Sequence, residues 1–152
     1  MSAFDFKTAT DMDFTRADDP KVKGIVQMYR DLIALRRNLA GKTKGLTGQN
    51  LNVFHLDNGN KTLAYHRWEN GGTGDDVVIV ANFSSVPMQN LNIGFPRQGQ
   101  WHVLFNSGAN VYDPGFTNGD SSDTTASPGA KDGLNFNGNV GIGAYSVVLL
   151  FQ

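Results

Sequence analysis

Carboxylates are the first groups that could give this chain catalytic chemistry. Hydrolysis by paired carboxyl groups needs a general acid and a second carboxylate at a set separation. Of 14 acidic residues only one is a glutamate, Glu69, placed just after Trp68 at the mouth of the turn "ENGGTGDD", with Asp75 and Asp76 close behind. A turn so rich in glycine admits water, and a hydrated carboxyl keeps an ordinary pKa. Active sites also need a concave, partly dry pocket. The segment therefore reads as a solvated turn rather than a catalytic dyad, and no catalytic residue is assigned. The histidines, His55, His66 and His102, fall in no ligand spacing such as HxxxH, and each alternates with apolar neighbours, so they read as sheet-face residues. Cysteine is absent, which removes disulfides and thiolate ligands. No GxSxG elbow or phosphate-binding loop occurs. "TNGDSSD" (117–123) carries oxygen ligands without the ordered spacing of a calcium loop and reads as a polar loop tip. No metal and no cofactor is expected.

Aromatic side chains are the remaining resource. Trp68, Trp101, Tyr65, Tyr112 and Tyr145 could stack on sugar rings, although strand aromatics more often pack in a core. Tyr65 and Trp68 point to opposite faces of a regular strand, and Trp68, at a strand end, is the better placed for exposure. Trp68 and Trp101 are kept as glycan-stacking candidates.

The elements that must position these residues are strands and one helix. At 152 residues the chain has the length of one domain, large enough to bury a core. Eighteen glycines with 39% hydrophobic residues favour a turn-rich β architecture. A net charge of −1 offers no electrostatic basis for nucleic acid or an anionic membrane. The start "MSAFDFKTAT" lacks a basic segment followed by an apolar run, and no stretch reaches membrane-spanning length, so a cytoplasmic location is expected.

"GIVQMYRDLIALRRN" (24–38) is the one strongly helical stretch, with Asp19 as its expected cap and Pro20 in its first turn. Val22, Ile25, Val26, Met28, Tyr29, Leu32, Ile33, Leu35 and Leu39 fill roughly half the helix circumference. An ordinary surface helix needs a stripe of only about 100°. This helix is expected to have neighbours on more than one side. Arg36 lies inside the apolar arc, where it either snorkels, meets carbonyls at the helix end, or pairs with a buried carboxylate. "AGKTKG" ends the helix.

Strands are expected at 52–56 and 62–68, joined by a hairpin at Asn58-Gly59, and at 76–84, 90–95, 100–106 and 144–151, with 134–136 weaker. The start of 76–84 is apolar on both faces, as in a central strand. Residues 107–133 read as one long polar loop, either functional or mobile. The expected fold is mainly β, an antiparallel sandwich preceded by one amphipathic helix.

"MYRDLIALRRN", "GLTGQNLNVFHL", "LAYHRW", "GDDVVIVANFS" and "IGFPRQGQWHVLFNS" together resemble the carboxy-terminal end of α-amylase-family enzymes of glycoside hydrolase family 13, of the α-amylase or 1,4-α-glucan branching enzyme type. The resemblance runs from about Asp11 to Gln152, with "MDFTRADD" similar to the lead into the last barrel helix; loop 107–133 departs from any shared motif. It implies a Greek-key sandwich like the amylase C-terminal domain at 42–152, with 1–41 as the end of a (β/α)8 barrel. Ile25, Met28, Tyr29, Leu32, Ile33 and Arg36 would face that barrel. The family's catalytic carboxylates lie on earlier barrel strands, and no position here matches them. The chain alone is thus expected to be no enzyme. Its implied partner is the catalytic barrel, with α-glucan binding or self-association through the helix face as alternatives, and with no nucleic acid or membrane partner.

Overall fold

The structure, a computed structural model, describes Thr15, residues 19–20 and residues 22–152. The leading segment 1–14 lies outside the described residues. One helix, α1 (Lys23–Arg36), precedes eight strands: β1 (Asn50–Asp57), β2 (Thr62–Trp68), β3 (Val77–Asn82), β4 (Met88–Phe95), β5 (Gly99–Asn106), β6 (Thr124–Lys131), β7 (Leu134–Ile142) and β8 (Ser146–Phe151). Every pairing is antiparallel, in the order β1-β2-β3-β8-β5-β6-β7-β4. Strands β5, β6 and β7 follow one another and β4 returns beside β7, which is a Greek key.

The sheet folds over itself at β5–β6, where only Gly99–Trp101 of β5 pair with Thr124–Ala126 of β6. The run β1-β2-β3-β8-β5 then faces β6-β7-β4. Ala64, Val78, Val80, Val148 and Leu150 from the first layer meet Ile93, Phe95, Val140 and Ile142 from the second in one buried core. A second cluster lies on the outer face of the larger layer: Val77, Ile79, Leu149, Phe105 and Leu46, with Met28 and Leu35 of α1 and Tyr112 packed over it. Strand β3 is therefore covered on both faces, which is why "VVIVAN" carries no polar alternation. Helix, larger sheet and smaller sheet stack as three layers.

Three expectations are corrected. Residues 124–131, expected within a loop, form β6. Only Thr124 and Ala126 are buried, so a strand with one short inward stretch has no apolar run to betray it. The weak segment 134–136 extends to Ile142; at Gly138 an added Cβ would stand 3.1 Å from the Phe95 ring and 3.3 Å from the Thr125 carbonyl. Helix α1 begins at Lys23 with Val22 at its N-cap, and the Asp19 backbone carbonyl accepts the amides of Val22 and Lys23. The β1–β2 hairpin forms as expected, but its left-handed residue is Lys61, while the Asp57 carboxylate accepts the Gly59 and Asn60 amides.

The helix end shows why it stops where it does. Asn38 is left-handed (φ 52), its amide donates to Leu35, and the Leu39 amide reaches back to Ala34. This pair of bonds is the Schellman arrangement, with asparagine in the place glycine usually takes. The Asn38 side chain also accepts the Thr43 amide, and the Thr43 hydroxyl donates to the Leu35 carbonyl. The link from helix to sandwich is thereby fixed. Among the described residues no helix is long and apolar enough to cross a membrane.

Candidate functional site

The turn expected to be solvated is instead a closed structural knot. Asp75 and Asp76 are buried, because the loop wraps its own amides around them. Burial pushes the Asp75 carboxyl up, but the amides of Glu69, Asn70 and Gly71, at 2.6–2.9 Å, outweigh it and hold its pKa below the usual range. For Asp76 burial again acts upward. It is overcome by His66 Nε2 at 2.9 Å, the Gly72 amide at 2.9 Å and Arg97 Nε at 2.6 Å. Carboxylates so saturated stay ionised and make poor general acids. Glu69 is exposed and binds the Gln49 amide. The two aspartates are buried rather than solvated as expected, whereas Glu69, Asn70 and Thr73 of the same turn are exposed.

Each histidine meets one aspartate. His55 contacts Asp132 at 3.0 Å, His66 contacts Asp76, and His102 contacts Asp123 at 2.6 Å. The first of these ties β1 to the β6–β7 turn, and Asp132 also accepts the Gly94 amide, which joins β4 to the same point. The Val103 amide and His102 hold the Asp123 carboxyl below its ordinary value. Among the described residues no cluster of three or more His, Cys, Asp or Glu is arranged to hold a metal ion.

The two tryptophans part company. Trp101 has no exposed surface; it fills the corner where the sheet folds, 5.1 Å from the Phe95 ring, and donates its indole N–H to the Arg97 carbonyl. It therefore presents no face to a sugar, and its candidacy falls to the tight β5–β6 corner, which needs a large side chain to fill it. Trp68 is half-buried, with one face stacked on His66 at 4.4 Å.

Helix α1 has two unlike flanks. One packs against the sandwich through Met28 and Leu35, which lie partly buried on the outer cluster. Gly24 lets the helix come close: a Cβ there would stand 1.6 Å from the Tyr112 carbonyl oxygen. Asp31 accepts the Tyr112 hydroxyl at 2.8 Å, and burial followed by Asp31 pushes that phenol's pKa well up. The other flank is bare. Ile25, Tyr29 and Ile33 are more than half exposed, Leu32 is exposed, and Arg36 stands among them in solvent. Met28, expected to face a barrel, sits on the sandwich side because its angular position is beside Leu35. Of the paths open to Arg36, the buried ion pair is excluded by its exposure.

Gly24 is the residue that sequence reasoning missed, and Tyr112, weighed there only as a sugar-stacking aromatic, is instead a hydrogen-bond partner of the helix. The available signal was a glycine inside an otherwise helical pattern, which costs about 1 kcal/mol and implies a packing reason.

On this geometry the likenesses to known proteins can be placed. The family described as "Alpha amylase, C-terminal all-beta domain" matches residues 54–151. A 1,4-alpha-glucan branching enzyme GlgB of Cupriavidus pinatubonensis is 32% identical over 124 residues, 78% of this chain and 16% of that protein. The GlgB of Pseudomonas syringae pv. syringae is 38% identical over 84 residues, 53% of this chain and 11% of that protein. The chain thus spans a small part of the relatives it matches. A crystal structure of alpha-amylase from H. orenii superposes with a TM-score of 0.48 at 20% identity, covering 84% of this chain and 20% of that one. The match over most of the sandwich, on a mainly β fold preceded by one helix, makes this chain a member of the alpha amylase C-terminal all-beta domain family.

Proposed function

We propose that the chain is the non-catalytic C-terminal domain of an α-glucan-active enzyme of the amylase or branching type, and that it stabilises that enzyme's catalytic barrel. In this reading residues 1–41 are the end of a (β/α)8 barrel, α1 is its last helix, and 42–152 form the sandwich that covers the barrel's flank. The observation that carries it is the bare flank of α1. Ile25, Tyr29, Leu32 and Ile33 make one apolar stripe on a helix already held from its other side. Burying them against a barrel would contribute roughly 1.5–3 kcal/mol each before ordering costs. Leu51, Val53 and Leu56 of β1 add exposed apolar surface on the helix side of the sheet, Val53 pairing with Tyr65 of the outer cluster.

Hydrolysis or branching would be the barrel's property. The saturated state of Asp75 and Asp76 supports assigning none to the chain. The test is to titrate the chain into the catalytic barrel of a branching-enzyme relative made without its own C-terminal domain, following the barrel's melting temperature. A rise of several degrees that disappears with the double variant Tyr29→Gln, Ile33→Gln is expected. An unchanged barrel melt would overturn the reading, as would turnover of amylose by the purified chain that persists in Glu69→Gln.

A further inference from the structure

We propose that the end of the sandwich opposite the Asp75–Asp76 knot is a binding site for a neutral glycan, a linear α-1,4-linked glucan chain. Three connections meet there: residues 83–87 after β3, 107–119 after β5, and 143–145 before β8. Two buried asparagines fix them. Asn82 donates to the carbonyls of Val86 at 2.8 Å and Gly143 at 2.9 Å, and accepts from the Ser84 amide and hydroxyl. Asn106 donates to the Asn118 carbonyl and accepts the Gly108 amide at 2.9 Å. The asparagines thus pin the loops through neutral hydrogen bonds, Asp113 adds a bond to the Gly115 amide, and a site built on them is formed before any ligand arrives.

Between these loops lies a cavity of about 490 Å³ whose walls include Phe116, Tyr145, Pro87, Ser107 and Thr117, with no charged residue among the described residues that line it. Tyr145 is 73% exposed and Phe116 is 43% exposed. The Tyr145 backbone is left-handed (φ 47), a conformation disfavoured for a bulky side chain, and it is held there by its amide's bond to the Ser84 carbonyl. A glycine or asparagine would sit in that turn without strain. The fold instead keeps an aromatic ring in the open, facing a cleft that a second ring also lines.

Flat aromatic surfaces beside hydroxyl groups, in a neutral shallow cleft, suit a ring with apolar C–H faces and a hydroxylated edge. The described residues of the lining carry no positive charge to offset desolvation of a phosphate or a carboxylate. The lining supports a neutral pyranose; the choice of α-1,4-glucan rests on the reading that the parent acts on α-glucans. The site is distinct from both tryptophans, which lie toward the other end of the sandwich.

Native electrophoresis of the full chain in gels containing soluble starch tests this. Wild type should be retarded. Tyr145→Gly removes the ring and accepts the left-handed backbone freely, so its melting temperature should hold or rise while its apparent affinity falls at least about tenfold. Phe116→Ala should weaken retardation, and Trp68→Ala should leave it unchanged. No retardation of wild type, or undiminished retardation of a folded Tyr145→Gly, would overturn the proposal. Retardation by a soluble β-linked glucan but not by starch would overturn the α-glucan assignment. Barrel stabilisation is read by a different measurement, which Tyr145→Gly should not alter, so the two readings can fail separately.

Discussion

The two flanks of α1 are made of similar residues and have opposite fates. Met28 and Leu35 sit in a cluster with Ile79, Phe105 and Leu149, whereas Ile25, Tyr29, Leu32 and Ile33 face solvent. Hydrophobicity alone does not separate them. What does is the equipment around the sealed flank: a glycine for close approach, a Tyr112–Asp31 hydrogen bond, and a Thr43–Asn38 latch at the helix end. The bare flank carries the grease without fittings from this chain. Directional contacts thus mark which partner is already present, and an apolar stripe lacking them marks where another surface belongs.

That comparison can be broken by substitutions on either side. The largest effect is expected at Gly24→Ala. Alanine in a helix interior is ordinarily worth about 1 kcal/mol over glycine. Here its methyl would collide with the Tyr112 carbonyl, so urea denaturation should show a loss of about 2–3 kcal/mol instead. Stabilisation would mean that the helix does not lie against the 107–119 loop. Leu35→Ala comes next, at about 2 kcal/mol for a partly buried leucine in the outer cluster, read from the same denaturation midpoint.

Tyr112→Phe should cost about 1 kcal/mol through its lost hydrogen bond to Asp31. It carries a pH signature as well. The folded-state pKa of this phenol is raised above its ordinary 10.0, so the unfolded chain gives up the proton first and stability falls as pH climbs past that value. Wild type should therefore lose more stability than Tyr112→Phe above pH 10, with the difference absent at neutral pH beyond the hydrogen bond itself. The smallest effect belongs to the bare flank. Tyr29→Gln with Ile33→Gln keeps good helix formers on exposed positions and should shift the isolated chain by no more than about 0.5 kcal/mol. A cost matching Leu35→Ala would erase the distinction between the flanks.

Much of this arrangement could be read from the residues. The apolar arc of α1 announced a helix packed along one flank, which the outer cluster supplies, and the unbroken apolar run of β3 announced a strand covered on both faces. The β1–β2 hairpin was legible at Asn58-Gly59, although its left-handed residue is Lys61 rather than either of that pair. Less was legible where burial is brief or polar. Strand β6 hides because only Thr124 and Ala126 turn inward. The glycine-rich turn at 69–76 looked wet because sequence shows the glycines but not the amides they aim at Asp75 and Asp76. Which flank of α1 is sealed depends on Tyr112, 81 positions beyond Asp31, and no local pattern reports a contact at that range. Trp101 was taken for a surface candidate because a tight sheet corner leaves no periodic signature.

Oxidative labelling of tyrosine and methionine side chains, resolved by residue, would compare the chain alone with a chimera in which it replaces the C-terminal segment of a branching-enzyme relative. Tyr29 is expected to label readily and Met28 slowly in the isolated chain, and Tyr29 should become at least about tenfold protected in the chimera while exposed Tyr145 stays reactive. Equal labelling of Tyr29 in both would contradict the assignment of the bare flank to a barrel.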